Sequence, residues 1–201
     1  MNKNERRFEF ENLEVEVADQ IAVIQFSRPE IKNPLSVKTL EELNEIFTFL
    51  ESDSNIKSII FTGSGDTFAS GANLNEVAQL NENTALEFGL RGQNLMQKIY
   101  NSSKNTIAAI DGFCMGGALD LALSCDKRIA TKASVFAHPG AALGIITGWG
   151  GTQLLPRLIG KKKAFEIFLT AKRIDSVAAL KIGLIDEIHS EPLKRSLEFV
   201  I

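Results

Sequence analysis

Cysteine, histidine and long apolar runs are scarce in this sequence of 201 residues. Its two cysteines, Cys114 and Cys125, and its two histidines, His138 and His189, lack metal-ligand spacing, so we predict no metal site. We interpret the cysteines as buried thiols of a protein in a reducing compartment. No apolar run approaches the length of a membrane span, and Met1–Phe10 lacks the apolar core of a secretory signal. These absences predict a cytoplasmic protein without a membrane partner.

Neither sign of charge is in large excess, since 22 basic and 25 acidic residues give a net charge of −3. A nucleic-acid-binding surface needs a clustered basic face. The densest basic run is only Lys161–Lys163, which we interpret as a solvated helix face. We therefore predict no nucleic-acid partner. A hydrophobic content of 44% is ordinary for a globular protein. The length of 201 residues suits one domain or a domain with a small appendage, and we predict a single domain over residues 1–201.

Strands and helices are predicted to alternate along the chain. Residues 13–27 are predicted to form two strands joined at Asp19 and Gln20, because alternating or β-branched apolar runs lie on either side. Apolar residues at helical spacing predict a helix capped by Ser36 and another helix over residues 76–101. This alternation indicates an α/β fold.

Two glycine-containing segments, FASGAN at residues 68–73 and GFCMGGALD at residues 112–120, each lie between a predicted strand and a predicted helix. Glycine allows backbone N–H groups to face a cavity without an intervening side chain, and a helix N-terminus adds unsatisfied donors. Two donors that converge on one oxygen form an oxyanion hole. Tight turns that allow close packing of helix and strand are the alternative interpretation.

These segments and three others resemble, in order and spacing, the motifs of the crotonase superfamily, also called the enoyl-CoA hydratase/isomerase family. The other three are RPEIKNPLS, FAHPGAALGIITGWGGTQLLPRLIG and FLTAKRIDSVAALKIGLIDEI. The resemblance extends from about Leu13 to His189. It implies a spiral of repeated ββα units, assembly as a homo-oligomer (trimer or hexamer), and an acyl-thioester substrate carried on coenzyme A. It implies no cofactor other than the coenzyme A of the substrate.

The resemblance also implies roles for individual residues. The family's oxyanion-hole amides fall on Ala72 and Gly117, whose N–H groups would hold the thioester oxygen as it becomes an enolate. Asn73 stands where the family often has aspartate, and we expect it to cap the following helix. The implied substrate-binding residues are Lys32 beside coenzyme A, Ala69, Gly71 and Gly116 in the glycine segments, Gly140, and Trp149, whose indole would narrow the acyl pocket.

The two catalytic glutamates of a typical hydratase are not kept in this sequence. The first position is Asp120, which keeps a carboxylate on a side chain one methylene shorter than that of glutamate. Its alternative role is to interact with the dipole at the start of the predicted helix. The second position is Gly140, which has no side chain for acid or base work. Three explanations remain open. His138, two residues earlier, substitutes; a water or small anion fills the space, as in dihydroxynaphthoyl-CoA synthases; or the chain binds acyl-CoA without turnover.

Two functions follow from these alternatives, namely an enzyme and an inactive binding protein. With one surviving carboxylate, double-bond isomerisation is easier than hydration, because one group can remove and return a proton. The prediction is an enoyl-CoA hydratase/isomerase-like enzyme with Asp120 and His138 as catalytic residues; the alternative is an inactive acyl-CoA-binding or regulatory paralogue.

Family members also commonly continue several dozen residues in a helical extension, which we expect to be largely absent after Ile201.

Overall fold

A computed structural model of the protein describes residues 6–199, in which strands and helices alternate. The strands are β1 Arg6–Glu9, β2 Leu13–Ala18, β3 Ile21–Phe26, β4 Pro34–Leu35, β5 Ser58–Gly63, β6 Thr67–Ala69, β7 Gly71–Ala72, β8 Asn105–Ile110, β9 Phe113–Met115, β10 Lys127–Ala130, β11 Val135–Ala137, β12 Ile174–Asp175 and β13 Glu187–Ile188. The helices are α1 Val37–Ser52, α2 Leu74–Val77, α3 Glu82–Tyr100, α4 Gly117–Ser124, α5 Gly151–Ile159, α6 Lys161–Thr170, α7 Ser176–Lys181 and α8 Pro192–Leu197.

Two main sheets run through the described part of the chain. The larger has seven strands in the order β1-β2-β3-β5-β8-β10-β13, and the smaller has four in the order β12-β11-β9-β6. Three times in succession the chain passes from a strand of the larger sheet to a strand of the smaller sheet and then into helix. These units begin at β5, β8 and β10. The predicted spiral of ββα units is therefore present.

The core follows the apolar pattern of the sequence. In β2, Leu13, Val15 and Val17 are buried and alternate with exposed glutamates. Helix α1 buries Leu43 and Phe47, and the Ser36 side chain caps it by accepting the amide N–H of residue 39. The predicted turn between β2 and β3 lies at residues 19 and 20, which both have positive φ, as a tight hairpin between twisted strands requires.

The predicted helix over residues 76–101 is interrupted in the structure, so this prediction was wrong in detail. Helix α2 ends at Val77, and α3 begins at Glu82. Asn81 explains the new start, because its side chain accepts the amide N–H of Thr84 while the Thr84 hydroxyl accepts the amide N–H of Asn81. This capping box fixes a helix start where periodicity alone predicts continuity.

Helix α7 provides a stability prediction. Its N-cap is Asp175, whose carboxylate accepts the amide N–H of Ala178 at 2.8 Å. Asp175→Ala should therefore lower the free energy of unfolding by about 1 kcal/mol, measured by urea denaturation. Asp175→Asn keeps an accepting side-chain oxygen and should cost less. Equal losses in the two variants would contradict a capping role.

The lysine run and the two cysteines lie in the surroundings that the sequence predicts. Lys161–Lys163 are exposed at the start of α6, as predicted for a solvated helix face. Cys114 and Cys125 are free and buried. Within residues 6–199 no helix is long and apolar enough to cross a membrane, and no three metal-ligand side chains cluster.

Candidate active site

The two glycine segments meet beside the start of α4. Gly71 has φ +92°, and a Cβ added there would lie 2.5 Å from the Met115 carbonyl oxygen and 3.2 Å from the Gly117 amide nitrogen. Only glycine allows β7 to approach the N-terminus of α4 so closely. The structure thus brings Ala72, the residue after Gly71, next to Gly117.

The backbone on both sides of this contact is fixed locally. Gly116 has φ +52°, and its amide donates to the Ala137 carbonyl at 2.9 Å, which ties the start of α4 to the end of β11. On the other segment, the Asn73 side chain accepts the amide N–H of Asn75 and caps α2, as expected. Both glycine segments therefore enter helices at the same edge of one cavity.

Asp120 lies in the first turns of α4 and is fully shielded from solvent. Its Oδ2 accepts a hydrogen bond from the Thr147 hydroxyl. Burial raises the pKa of this carboxyl to about 7, because desolvation disfavours the ionised form more than the bonds from Thr147 and the amides of Gly151 and Trp149 favour it. A carboxyl with a pKa near neutrality suits acid or base work at that pH.

His138 faces the other oxygen of Asp120. Its Nε2 lies 3.4 Å from Asp120 Oδ1, and within residues 6–199 neither atom has a hydrogen-bond partner. The His138 ring packs against Phe168 and is only 3% exposed. Burial lowers the pKa of His138 to about 4, so the ring is neutral at pH 7. A neutral imidazole carries a hydrogen on one of its two ring nitrogens, so Nε2 can either donate to or accept from a carboxyl group beside it.

The space beside Gly140 is occupied by the backbone of the same loop. A Cβ added at Gly140 would lie 2.6 Å from the Ile145 carbonyl oxygen. The Ile145 amide also donates to the Gly140 carbonyl at 3.0 Å. A side chain at position 140 would therefore require this loop to shift, whereas Gly140 itself lines the cavity described below.

Trp149 is inserted between two helices rather than exposed at the surface. Its indole is 3% exposed and lies against Gly92 of α3 and Gly117 of α4, where an added Cβ would overlap the ring. Phe88 packs against it at 5.4 Å between ring centroids. The indole therefore forms part of the cavity wall and contacts the candidate oxyanion-hole residue directly.

A mostly apolar cavity of about 290 Å³ joins these groups. Its apolar walls come from α2, α3 and the loop before α5, and include Leu74, Val77, Phe88, Leu143 and Ile146. Its lining also contains most of the sequence-predicted site residues, namely Gly71, Ala72, Gly116, Gly117, Asp120, His138, Gly140 and Trp149. One concave apolar site with a few convergent polar groups is the usual form of a small-molecule site.

Two predicted substrate-binding residues do not line the cavity. Ala69 is buried in β6 and pairs with Cys114 of β9, so it supports the sheet beneath the glycine segment. Lys32 lies on an exposed turn, and its ammonium pairs with Asp66 at 2.7 Å. A role for Lys32 beside coenzyme A stays a prediction.

Sequence reasoning missed two residues that organise the site. Thr147 binds Asp120 across 27 positions of the chain, and no motif around it signals this contact. Asn33 is buried, and its side-chain amide donates to the Thr67 carbonyl at 2.7 Å, which anchors the loop before β4 to β6. The asparagine stands within RPEIKNPLS, so its presence in that segment was the available signal.

Comparison with known proteins identifies the family. A family model described as enoyl-CoA hydratase/isomerase matches residues 16–195. The chain belongs to the enoyl-CoA hydratase/isomerase family. The predictions of a crotonase-like α/β fold and of an enzyme of this family are thereby confirmed.

Individual members of the enoyl-CoA hydratase/isomerase family align over most of the chain. The short-chain-enoyl-CoA hydratase of Clostridium acetobutylicum is 36% identical over 181 residues, which are 90% of this chain and 69% of that protein. The crotonyl-CoA hydratase of Syntrophomonas wolfei is 38% identical over 180 residues, which are 89% of this chain and 69% of that protein. The crystal structure of an enoyl-CoA hydratase from Bacillus anthracis superposes with a TM-score of 0.90 at 34% identity, covering 94% of this chain and 75% of that one.

Proposed function

We propose that the protein binds an acyl-CoA thioester and stabilises the enolate formed at its α-carbon. The amide N–H groups of Ala72 and Gly117 hold the thioester oxygen as negative charge develops on it. Backbone donors fixed in a water-poor cavity stabilise such charge better than water does, because they need not reorganise during the reaction. The close approach of Gly71 to the Gly117 amide supports this pairing of donors.

Asp120 acts as the acid and base of the reaction. Asp120 lines the same cavity as Ala72 and Gly117, and this placement is the main support for the proposal. Its pKa of about 7 means that both protonation states are populated near neutral pH. One group can therefore remove a proton at one carbon and return it at another, as double-bond isomerisation requires.

His138 is proposed as the partner of Asp120 in proton movement. Its neutral ring presents Nε2 to Asp120 Oδ1 at 3.4 Å. When Asp120 takes a proton from the substrate, Nε2 is the acceptor placed to share that proton. Hydration would need a second group to orient water, and Gly140 supplies no side chain for this, so we favour isomerisation over hydration.

A non-catalytic acyl-CoA-binding or regulatory role is the second candidate. Two observations favour it: the Ile145 carbonyl oxygen lies only 2.6 Å from where a Cβ at position 140 would be, which leaves no room for a side chain there without a loop shift, and the Asp120 carboxyl is fully shielded from solvent. In that case the cavity would bind the acyl group without proton transfer. A homo-oligomeric assembly and a role in fatty acid metabolism are proposed with either candidate.

Hydrogen–deuterium exchange at the α-carbon tests the proposal. Short- and medium-chain acyl-CoAs and enoyl-CoAs are incubated with the protein in D2O, and deuterium uptake is measured by mass spectrometry. The proposed function predicts protein-dependent exchange, whatever final product is formed. Acyl-CoA binding without exchange would support the non-catalytic candidate, and absence of binding would contradict both.

A further inference from the structure

The loop that precedes α5 holds one oxygen of Asp120. Thr147 lies in this loop, and its hydroxyl donates to Asp120 Oδ2, which leaves Oδ1 facing His138. An aspartate side chain has a short stem and two equivalent oxygens, so a fixed bond to one oxygen determines where the other points. The backbone amides of Gly151 and Trp149 also bond this carboxyl, and Thr147 supplies the side-chain donor among the groups that hold it.

The loop around Thr147 is itself anchored at three points. The Ile145 amide donates to the Gly140 carbonyl at 3.0 Å. The Gly148 carbonyl accepts from the Gln93 side chain at 2.7 Å. Trp149 is held between the glycines of α3 and α4. With its neighbours fixed on both sides, the Thr147 hydroxyl has little freedom to leave Asp120.

The groups around Asp120 offer no alternative cationic partner. His138 faces it from the end of β11, and burial makes that ring neutral at pH 7. Cys114 of β9 is also close enough to interact, and burial raises the pKa of its thiol well above the ordinary value. Within residues 6–199 the ion pairs of lysine and arginine all involve other carboxylates. The Thr147 hydroxyl is therefore the side-chain donor that favours the carboxylate form.

We infer that Thr147 is a positioning residue for the proposed reaction: its hydroxyl holds Asp120 Oδ2 and so directs Oδ1 to the proton that is transferred. This inference rests on the proposed function for its catalytic meaning. The contact itself can be tested without turnover, because Asp120 titrates whether or not the protein is an enzyme.

The test compares Thr147→Val with Thr147→Ser. Valine keeps the shape of threonine and removes the hydroxyl, whereas serine keeps the hydroxyl. The Asp120 carboxyl is titrated by NMR in protein carrying ¹³C-labelled aspartate, with Asp120→Asn to assign its signal. Thr147→Val should raise the titration midpoint of Asp120 by about one pH unit, since a hydrogen bond to the charged form is lost. Thr147→Ser should keep the wild-type midpoint.

Exchange at the α-carbon then tests the catalytic part. At saturating acyl-CoA, Thr147→Val should lower the exchange rate about tenfold or more with an unchanged acyl-CoA Kd, and Thr147→Ser should restore most of it. An unchanged NMR midpoint in Thr147→Val, or a serine variant as impaired as the valine variant, would overturn the inference. If the NMR midpoints of the variants change as expected but the wild-type protein shows no α-carbon exchange, the proposed function is refuted and the Thr147–Asp120 contact is still established.

Discussion

Asp120→Asn should lower the rate of α-carbon exchange by about 10²–10⁴-fold, the usual contribution of a positioned general acid or base. Asparagine has nearly the same shape and can still accept the Thr147 hydroxyl, but it cannot take up a proton from the substrate. The acyl-CoA Kd should change little, because the oxyanion-hole donors are backbone groups. Rate and Kd are measured together by mass spectrometry and calorimetry. A loss smaller than tenfold would remove Asp120 from the mechanism.

The pH dependence of wild-type exchange follows from the same residue. A base must be ionised to accept a proton, and burial raises the pKa of Asp120 to about 7. Exchange should therefore rise with pH through about 7 and level off above it. His138, with a pKa lowered to about 4, stays neutral across this window and adds no second transition there. The residual exchange of Asp120→Asn should lack the transition near neutral pH.

Gly117→Ala is the second variant with a large expected effect. The added Cβ would overlap the six-membered ring of Trp149, and this ring cannot retreat because its other end rests on Gly92. The start of α4 must then move and carry the Gly117 amide away from the substrate oxygen. Loss of an oxyanion-hole donor costs about 10²–10³-fold in rate, and the overpacked core should lose about 1–3 kcal/mol of stability.

A double variant separates the steric cause from other effects of the substitution. In Gly117→Ala/Trp149→Ala the indole is gone, so the new methyl group no longer displaces α4. The loss of exchange rate caused by Gly117→Ala should therefore be smaller when the substitution is made in Trp149→Ala than when it is made in the wild-type protein. If Gly117→Ala is equally damaging in both backgrounds, the contact with Trp149 is not the cause. Thermal unfolding of all four proteins checks that each is folded.

The local features of the sequence predicted much of the fold. Alternating apolar residues located β2, and Ser36 and Asn73 cap the helices that follow them, because these signals depend on neighbours a few positions away. The helix predicted over residues 76–101 is split in the structure, because the capping box at Asn81 starts a new helix that the apolar spacing does not indicate. Such errors shift boundaries by a few residues and leave the order of elements intact.

The candidate site was predictable only where its residues stand in motifs. The resemblance of the glycine segments to the motifs of the family implied that Ala72 and Gly117 would lie together, and both residues line the cavity. The contact of Thr147 with Asp120 and the position of the Ile145 carbonyl beside Gly140 depend on how a distant loop folds over α4. No local pattern encodes such a contact, because it is set by tertiary packing.

The packing of Trp149 against Gly92 limits which substitutions this protein can accept during evolution. A glycine inside a helix is less stable than alanine by about 0.5–1 kcal/mol, so Gly92 is a position where a generic stabilising mutation would be expected to succeed. Here alanine would collide with the indole. Positions 92 and 149 are therefore mutationally coupled: a smaller residue must replace Trp149 before helix α3 can gain that stability, and the replacement would enlarge the cavity at the same step.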